Sequence, residues 1–210
     1  MNDDFGDDPT GLSSAVRAAR EGDEQAFRFL YRTLQPGILR YLRALVGDEA
    51  EDVASEAWLQ IVRDLPSYRG DGPAIRAWTA SIARNRALDH LRRHRRRPAV
   101  VTPPEDFVEL VGGYETADQA MESVSTGAAI ALIATLPRDQ AEAVLLRAVV
   151  GLDAKAAAKV LGKRAGAVRT AAWRGLRRLA ELLERKASAG RGEKRMATVR
   201  GRAGSVGSDE

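Results

Sequence analysis

Apolar residues recur along this chain at intervals of three and four, the period of one helix face. Leu12–Arg20 is read as a short helix broken at Gly22. Asp23 is placed to cap a second helix, whose face carries Phe27, Leu30, Tyr31 and Leu34. Pro36-Gly37 interrupts, and Ile38, Leu42, Leu45 and Val46 form a further stripe that stops at Gly47-Asp48. Val53, Ala57, Trp58, Ile61, Val62 and Leu65 then line an amphipathic helix ended by Pro66. Past the turn-rich segment SYRGDGP, a helix or helix pair spans Arg76–Arg97 and halts at Pro98.

The pattern changes over residues 98–127, which hold three prolines, Gly112-Gly113 and six acids (Glu105, Asp106, Glu109, Glu115, Asp118, Glu122) but no Lys or Arg. That composition predicts an extended acidic linker. Helical spacing resumes with Ile130, Leu132, Ile133 and Leu136, and again with Ala141, Val144, Leu145 and Ala148 before Gly151. Asp153 can cap a helix over Ala154–Leu161. Gly162-Lys163-Arg164 makes a turn, and a basic helix follows from about Ala165 to Lys186, the outline of a helix-turn-helix. The expected architecture is therefore all-α, with two small helical domains at 12–97 and 128–186. A disordered acidic start (1–11), the flexible acidic linker (98–127) and a disordered basic tail (187–210) complete it.

Charge sharpens this picture. The net charge of the 210 residues is only +4, but it is segregated. Between Arg84 and Arg97 there are seven arginines against one acid, Asp89. A second basic surface lies on the last helix. Two separated basic helical surfaces predict a protein that grips nucleic acid at two points. Of the 33 basic residues 28 are Arg, which can bind phosphate or a guanine edge bidentately; a GC-rich coding sequence accounts for most of that bias. The absence of cysteine excludes disulfides and thiolate catalysis. An acidic start without an apolar signal region, and no apolar run of membrane-spanning length, give the expectation of a soluble, cytoplasmic protein.

The ordered pieces resemble a known family. The stretches FRFLYRTLQPGILRYLRALVGD, AEDVASEAWLQIVRDLPSYRGD, AWTASIARNRALDHLRRHRRRP and TLPRDQAEAVLLRAVVGLDAKAAAKVLGKRAGAVRTAAWRGLRRL are similar to successive parts of bacterial RNA polymerase sigma factors of the extracytoplasmic-function (ECF) group. The first three resemble region 2 and the last resembles region 4. The resemblance implies a chain that binds core RNA polymerase, recognises the −35 and −10 promoter elements and helps open DNA. Its implied partners are the β′ clamp helices and β flap of the polymerase and promoter DNA, with an anti-sigma factor, often membrane-bound among relatives, as a further candidate. Such a protein is nucleoid-associated when active and is held at the membrane where a membrane anti-sigma factor retains it. The alternative is a free-standing helix-turn-helix regulator, which has no need of the DVASEAWLQI and RNRALDHLRR helices.

Site residues follow by position. Asp52 and Glu56 share a helix face next to Val53, Ala57 and Ile61. Spacing alone reads them as a solvated acidic face; the resemblance makes them, with Gln60, contacts to core polymerase. Arg84, Asn85, Arg86, Asp89, Arg92 and Arg93 fall where the family handles the −10 element. Asn85 matches the position that reads a flipped base, and an amide carries both donor and acceptor for that task; the residue alone reads equally as a local helix-breaking cap. On the last helix Arg169, Thr170 and Trp173 are assigned to base edges or the groove. Arg174, Arg177 and Arg178 are assigned to backbone phosphates, with Lys163 and Arg164 beside them. Trp173 has a second reading, packing on the preceding helix. Trp78 and Trp58 are read as core rather than as stacking platforms, Trp58 having the polymerase interface as a second assignment. His90 and His94 have metal-ligand spacing, but with no cysteine and no nearby acid beyond Asp89, phosphate contact or solvent exposure is expected and no metal site. The linker's acids suit either a polyanion mimic threading the polymerase or a plain spacer. Departures from the family pattern are Ala156-Ala157-Ala158, Ala167, and the glycines Gly166 and Gly175 inside the last helix. No metal-ligand set, phosphate loop or nucleophile elbow is present, so no enzyme, cofactor or small-molecule substrate is expected.

Overall fold

The computed structural model describes residues 9–96 and 127–203, with side chains over 11–94 and 127–185. The expectations for 1–8, for the linker over 98–126 and for 204–210 lie outside these residues. No strand occurs among the described residues.

The first half holds four helices: α1 (Pro9–Arg20), α2 (Glu24–Val46), α3 (Ala50–Asp64) and α4 (Gly72–Arg96). Asp23 caps α2 as expected, its carboxylate accepting from the Ala26 amide at 2.9 Å. A 3-10 turn, Gly47–Glu49, joins α2 to α3, and another, Leu65–Ser67, follows α3. Helix α1 begins at Pro9, inside the start expected to be disordered, and Tyr31, expected on the apolar face of α2, is 40 % exposed. Two further expectations change. Helix α2 runs unbroken through Pro36, although a proline inside a helix costs roughly 3 kcal/mol. Leu30, Leu34, Ile38, Tyr41 and Leu42 are all buried on the face that continues past it, and burial of such side chains at ~1.5–3 kcal/mol each outweighs that cost. Val62 lies outside the core, 51 % exposed.

The second half begins with α5 (127–134) and continues with α6 (Arg138–Val144), which widens into a π turn at Leu145–Val149. That turn overrides the spacing argument. Its wider pitch buries Leu145, Leu146 and Val150 and leaves Ala148, expected on the apolar face, exposed. Helix α7 (Ala154–Leu161) and helix α8 (Ala165–Ala203) form the helix-turn-helix. Asp153 caps α7 from 2.7 Å; Gly162 ends it in the left-handed conformation (φ 63°), which glycine adopts without steric cost. Helix α8 passes the expected end at 186 and continues to Ala203, so the backbone over 187–203 is helical where a disordered tail is expected. Good helix formers such as Ala, Glu, Lys and Met outweigh the glycines there.

The two halves share one apolar core rather than merely a tether. Helix α2 meets the π turn and α4 meets α7. A Cβ on Gly37 would come within 3.3 Å of the Val149 carbonyl, so the absence of a side chain permits this approach. Across the same boundary Glu142, 4 % exposed, accepts from Arg84 Nε at 3.0 Å while also accepting from Arg138 Nε at 2.9 Å. Tyr41 is buried beside them, and burial followed by the neighbouring Glu142 charge raises its phenol pKa.

Candidate nucleic-acid interface

Three surfaces carry the expected residues. The first is α3. Asp52 is exposed and Glu56 half-buried on one face, but the apolar seam beside them does not face outward. Val53, Ala57 and Ile61 are buried in the core, because the helix needs that stripe to pack on α2 and α4. The apolar surface left for a partner is Leu59 and Val62, with Tyr31 from α2. Trp58 is buried, donates to Gln35, and meets Tyr31 at 4.7 Å between ring centroids. Gln60 accepts from Arg86 Nε at 2.9 Å and donates to Asp64, so it ties α3 to α4.

The second surface is the outer face of α4. Asn85, Asp89, Arg92 and Arg93 are exposed. Arg92 pairs with Asp89 at 3.1 Å, and Arg93 reaches Glu56 at 3.2 Å. The residues assigned to polymerase and to DNA therefore touch at Glu56–Arg93 and Gln60–Arg86. Arg84 is turned away from this face, into Glu142. A helix face of 3.6 residues per turn cannot present 84, 85 and 86 in one direction. Trp78 packs half-buried on Tyr68 at 4.8 Å between centroids, in accord with a core role. Burial, with a smaller contribution from Asp71, pushes the Tyr68 phenol up to about 12.

His90 and His94 do meet an acid, contrary to the sequence argument. Glu49, from the turn after α2, contacts His90 and lies 3.4 Å from His94 Nε2. The separation of 41 positions between Glu49 and His90 hides this group from any local pattern. Glu142, Arg138 and Tyr41 were missed for the same reason.

The third surface is the start of α8. Lys163, Arg164, Arg169, Thr170, Trp173, Arg174, Arg177 and Arg178 are all exposed. Trp173 is 60 % exposed, and the Arg177 guanidinium stacks over its ring at 5.7 Å. Val168 and Ala172 anchor the opposite face in the core. Gly166 faces open space. A Cβ on Gly175, however, would meet Val144 Cγ2 at 2.8 Å and Leu136 Cδ1 at 3.3 Å. Gly175 thus lets α8 cross α6 closely and is not a defect of the recognition helix. Together these features make an exposed cationic and aromatic face at the start of a capped helix-turn-helix, suited to a DNA groove.

Comparison with known proteins agrees with both halves. Residues 30–97 match the model for sigma-70 region 2, and residues 126–179 match that for sigma-70 region 4. The chain is 34 % identical over 179 residues to the ECF RNA polymerase sigma factor BldN of Streptomyces coelicolor, covering 84 % of this chain and 67 % of that one. It is 37 % identical over 177 residues to the ECF RNA polymerase sigma factor SigD of Mycobacterium tuberculosis, covering 80 % and 82 %. Among solved structures, CnrH in complex with the cytosolic domain of CnrY matches with a TM-score of 0.59 at 20 % identity, over 84 % of this chain and 98 % of that one. The sigma factor RpoE in complex with the anti-sigma factor NepR from Bartonella quintana matches with a TM-score of 0.55 at 20 % identity, over 75 % and 96 %. These two likenesses show the fold.

Proposed function

This chain belongs to the ECF group of the sigma-70 family of RNA polymerase sigma factors, and from that premise we propose how its two halves divide the work of initiation. As a sigma factor it directs RNA polymerase to promoters and is a transcription initiation factor. A free-standing helix-turn-helix regulator is not favoured, because region 2 accounts for residues 30–97.

In the proposed division, the α3 face docks on the β′ clamp helices through Asp52 and Glu56, with Leu59 and Val62 as the apolar anchor. Asn85 receives the flipped base of the −10 element, and Arg92 and Arg93 hold its phosphates. Arg169, Thr170 and Trp173 read the −35 element, while Arg174, Arg177 and Arg178 hold backbone. The β flap meets the second half. The chain works in the cytoplasm, with an anti-sigma protein among its partners, and needs neither cofactor nor catalytic residue.

The observation that supports the reading is the coexistence of two exposed arginine-bearing surfaces, on α4 and at the start of α8, in one chain. Distance adds a condition. Elements named for positions −10 and −35 lie about 25 base pairs apart, or roughly 85 Å at ~3.4 Å per base pair. A compact chain of this length has a radius of gyration of ~17 Å and is roughly 45 Å across. The halves must therefore part on the promoter. The thirty residues of 97–126 reach roughly 100 Å at ~3.3–3.6 Å each, enough to allow it.

The test is capture of core polymerase by the full chain and by the double variant Asp52→Arg, Glu56→Arg. The reading expects clearly weaker capture by the folded variant; equal capture would remove α3 as the docking face.

A further inference from the structure

We propose that Glu49, His90 and His94 form a binding site for a divalent transition-metal cation of the zinc type, clamping the turn between α2 and α3 to the end of α4. The three side chains each offer one ligand atom, and these atoms lie within 4.8 Å of one another. His90 and His94 stand one helical turn apart with ring centroids at 4.3 Å, so both Nε2 atoms point at the same carboxylate. Zinc bonds of ~2.0–2.2 Å in a tetrahedral arrangement put ligand atoms ~3.3–3.5 Å apart. The His94 Nε2 to Glu49 Oε1 distance is already 3.4 Å. His90 is largely buried and fixed; His94 and the Glu49 carboxylate are about half exposed, free to adjust and reachable by an ion.

The chemistry selects the cation. Two imidazoles and one carboxylate suit zinc, nickel or cobalt, whereas magnesium and calcium take oxygen ligands. Three protein ligands leave a fourth position for water, as in open zinc sites. Among the described residues, nearby arginines are engaged by acids: Arg92 is turned to Asp89, Arg93 to Glu56 and Arg43 to Glu51. Two imidazoles and a carboxylate already converge here, and one divalent ion can be held by all three.

The chain makes the test unusually clean, since it has two histidines and no cysteine. Untagged full-length protein is titrated with Zn²⁺ alone, by calorimetry and by competition with a chromophoric chelator. The expected result is one Zn²⁺ per chain. Loss of a direct ligand should weaken binding by at least the ~10–100-fold that loss of an outer-shell partner costs. The variants are His94→Ala and Glu49→Gln, both at positions outside the buried core, and His90→Ala. Zinc should also move the ring resonances of both histidines and raise the melting temperature of the wild type but not of His94→Ala. No stoichiometric binding, equal binding by His94→Ala and Glu49→Gln, or equal binding of Mg²⁺ would each overturn the site.

Discussion

Replacing Glu142 with glutamine keeps the shape of the side chain and removes the charge at the boundary between the halves. The wild-type carboxylate is 4 % exposed and accepts from Arg84, 19 % exposed, at 3.0 Å. Hydrogen bonds to charged groups contribute about 1.5–3 kcal/mol against about 0.5–1.5 for neutral ones. The Arg138 bond is half exposed and lies within one helix, so it adds only ~0.3–0.5 kcal/mol and nothing across the boundary. The amide also leaves the Arg84 guanidinium facing Arg138 without a neutralising charge. The closed arrangement should therefore lose about 1.5–2 kcal/mol, a shift of roughly 10–30-fold toward separated halves. The absence of native cysteine allows a dye pair to be placed at Ser67→Cys and Lys159→Cys, both exposed. Single-molecule energy transfer should show the low-transfer population rising by that factor, with helicity unchanged. A double-mutant cycle of Glu142→Gln with Arg84→Ala should return a coupling well above ~0.5 kcal/mol. An unchanged population, or a coupling below that value, would refute this role for the Arg84–Glu142 pair.

Three further outcomes follow from the second half. Gly166→Ala should stabilise by up to ~1 kcal/mol, about 2–4 °C in Tm, whereas Gly175→Ala should lower Tm because its Cβ meets Val144 at 2.8 Å; differential scanning calorimetry checks both signs. Arg169→Ala should relax −35 sequence preference by the ~1–3 kcal/mol of a base contact, while Arg178→Ala lowers binding evenly across sequences; competition binding over variant duplexes separates them, and an even loss for Arg169→Ala would contradict its role. The Asp153 carboxyl is held below its ordinary range, chiefly by the amide hydrogen bond from Ala156. Its contribution is thus present above the unfolded value of ~3.9 and is lost as pH falls through the lower folded value. Asp153→Ala should melt below the wild type at neutral pH and converge with it in strong acid.

The helical period, the caps at Asp23 and Asp153, and the turn at Gly162 are local features, and the sequence displayed them. The basic face of α8 was legible in the same way, although Trp173 kept packing on the preceding helix as a second reading. What stayed hidden depends on distant partners. Arg84 looks like its arginine neighbours until Glu142, 58 positions away, claims it. Glu49 has no local relation to His90. Tyr41 reads as an ordinary helical aromatic, yet it is fully buried at the junction of the halves. Pro36 misled because its local cost is certain while the burial that overrides it is tertiary. Ala148 misled because a π turn changes the period on which the argument rests.

The most direct measurement is run-off transcription by core RNA polymerase with and without the purified chain, on a promoter library in which upstream and downstream elements vary independently, followed by mapping of start sites. The account predicts chain-dependent initiation only from templates carrying both elements about 25 base pairs apart. It also predicts loss of initiation with Asn85→Ala and loss of upstream preference with Arg169→Ala. Absence of initiation, or initiation indifferent to the upstream element, would contradict it.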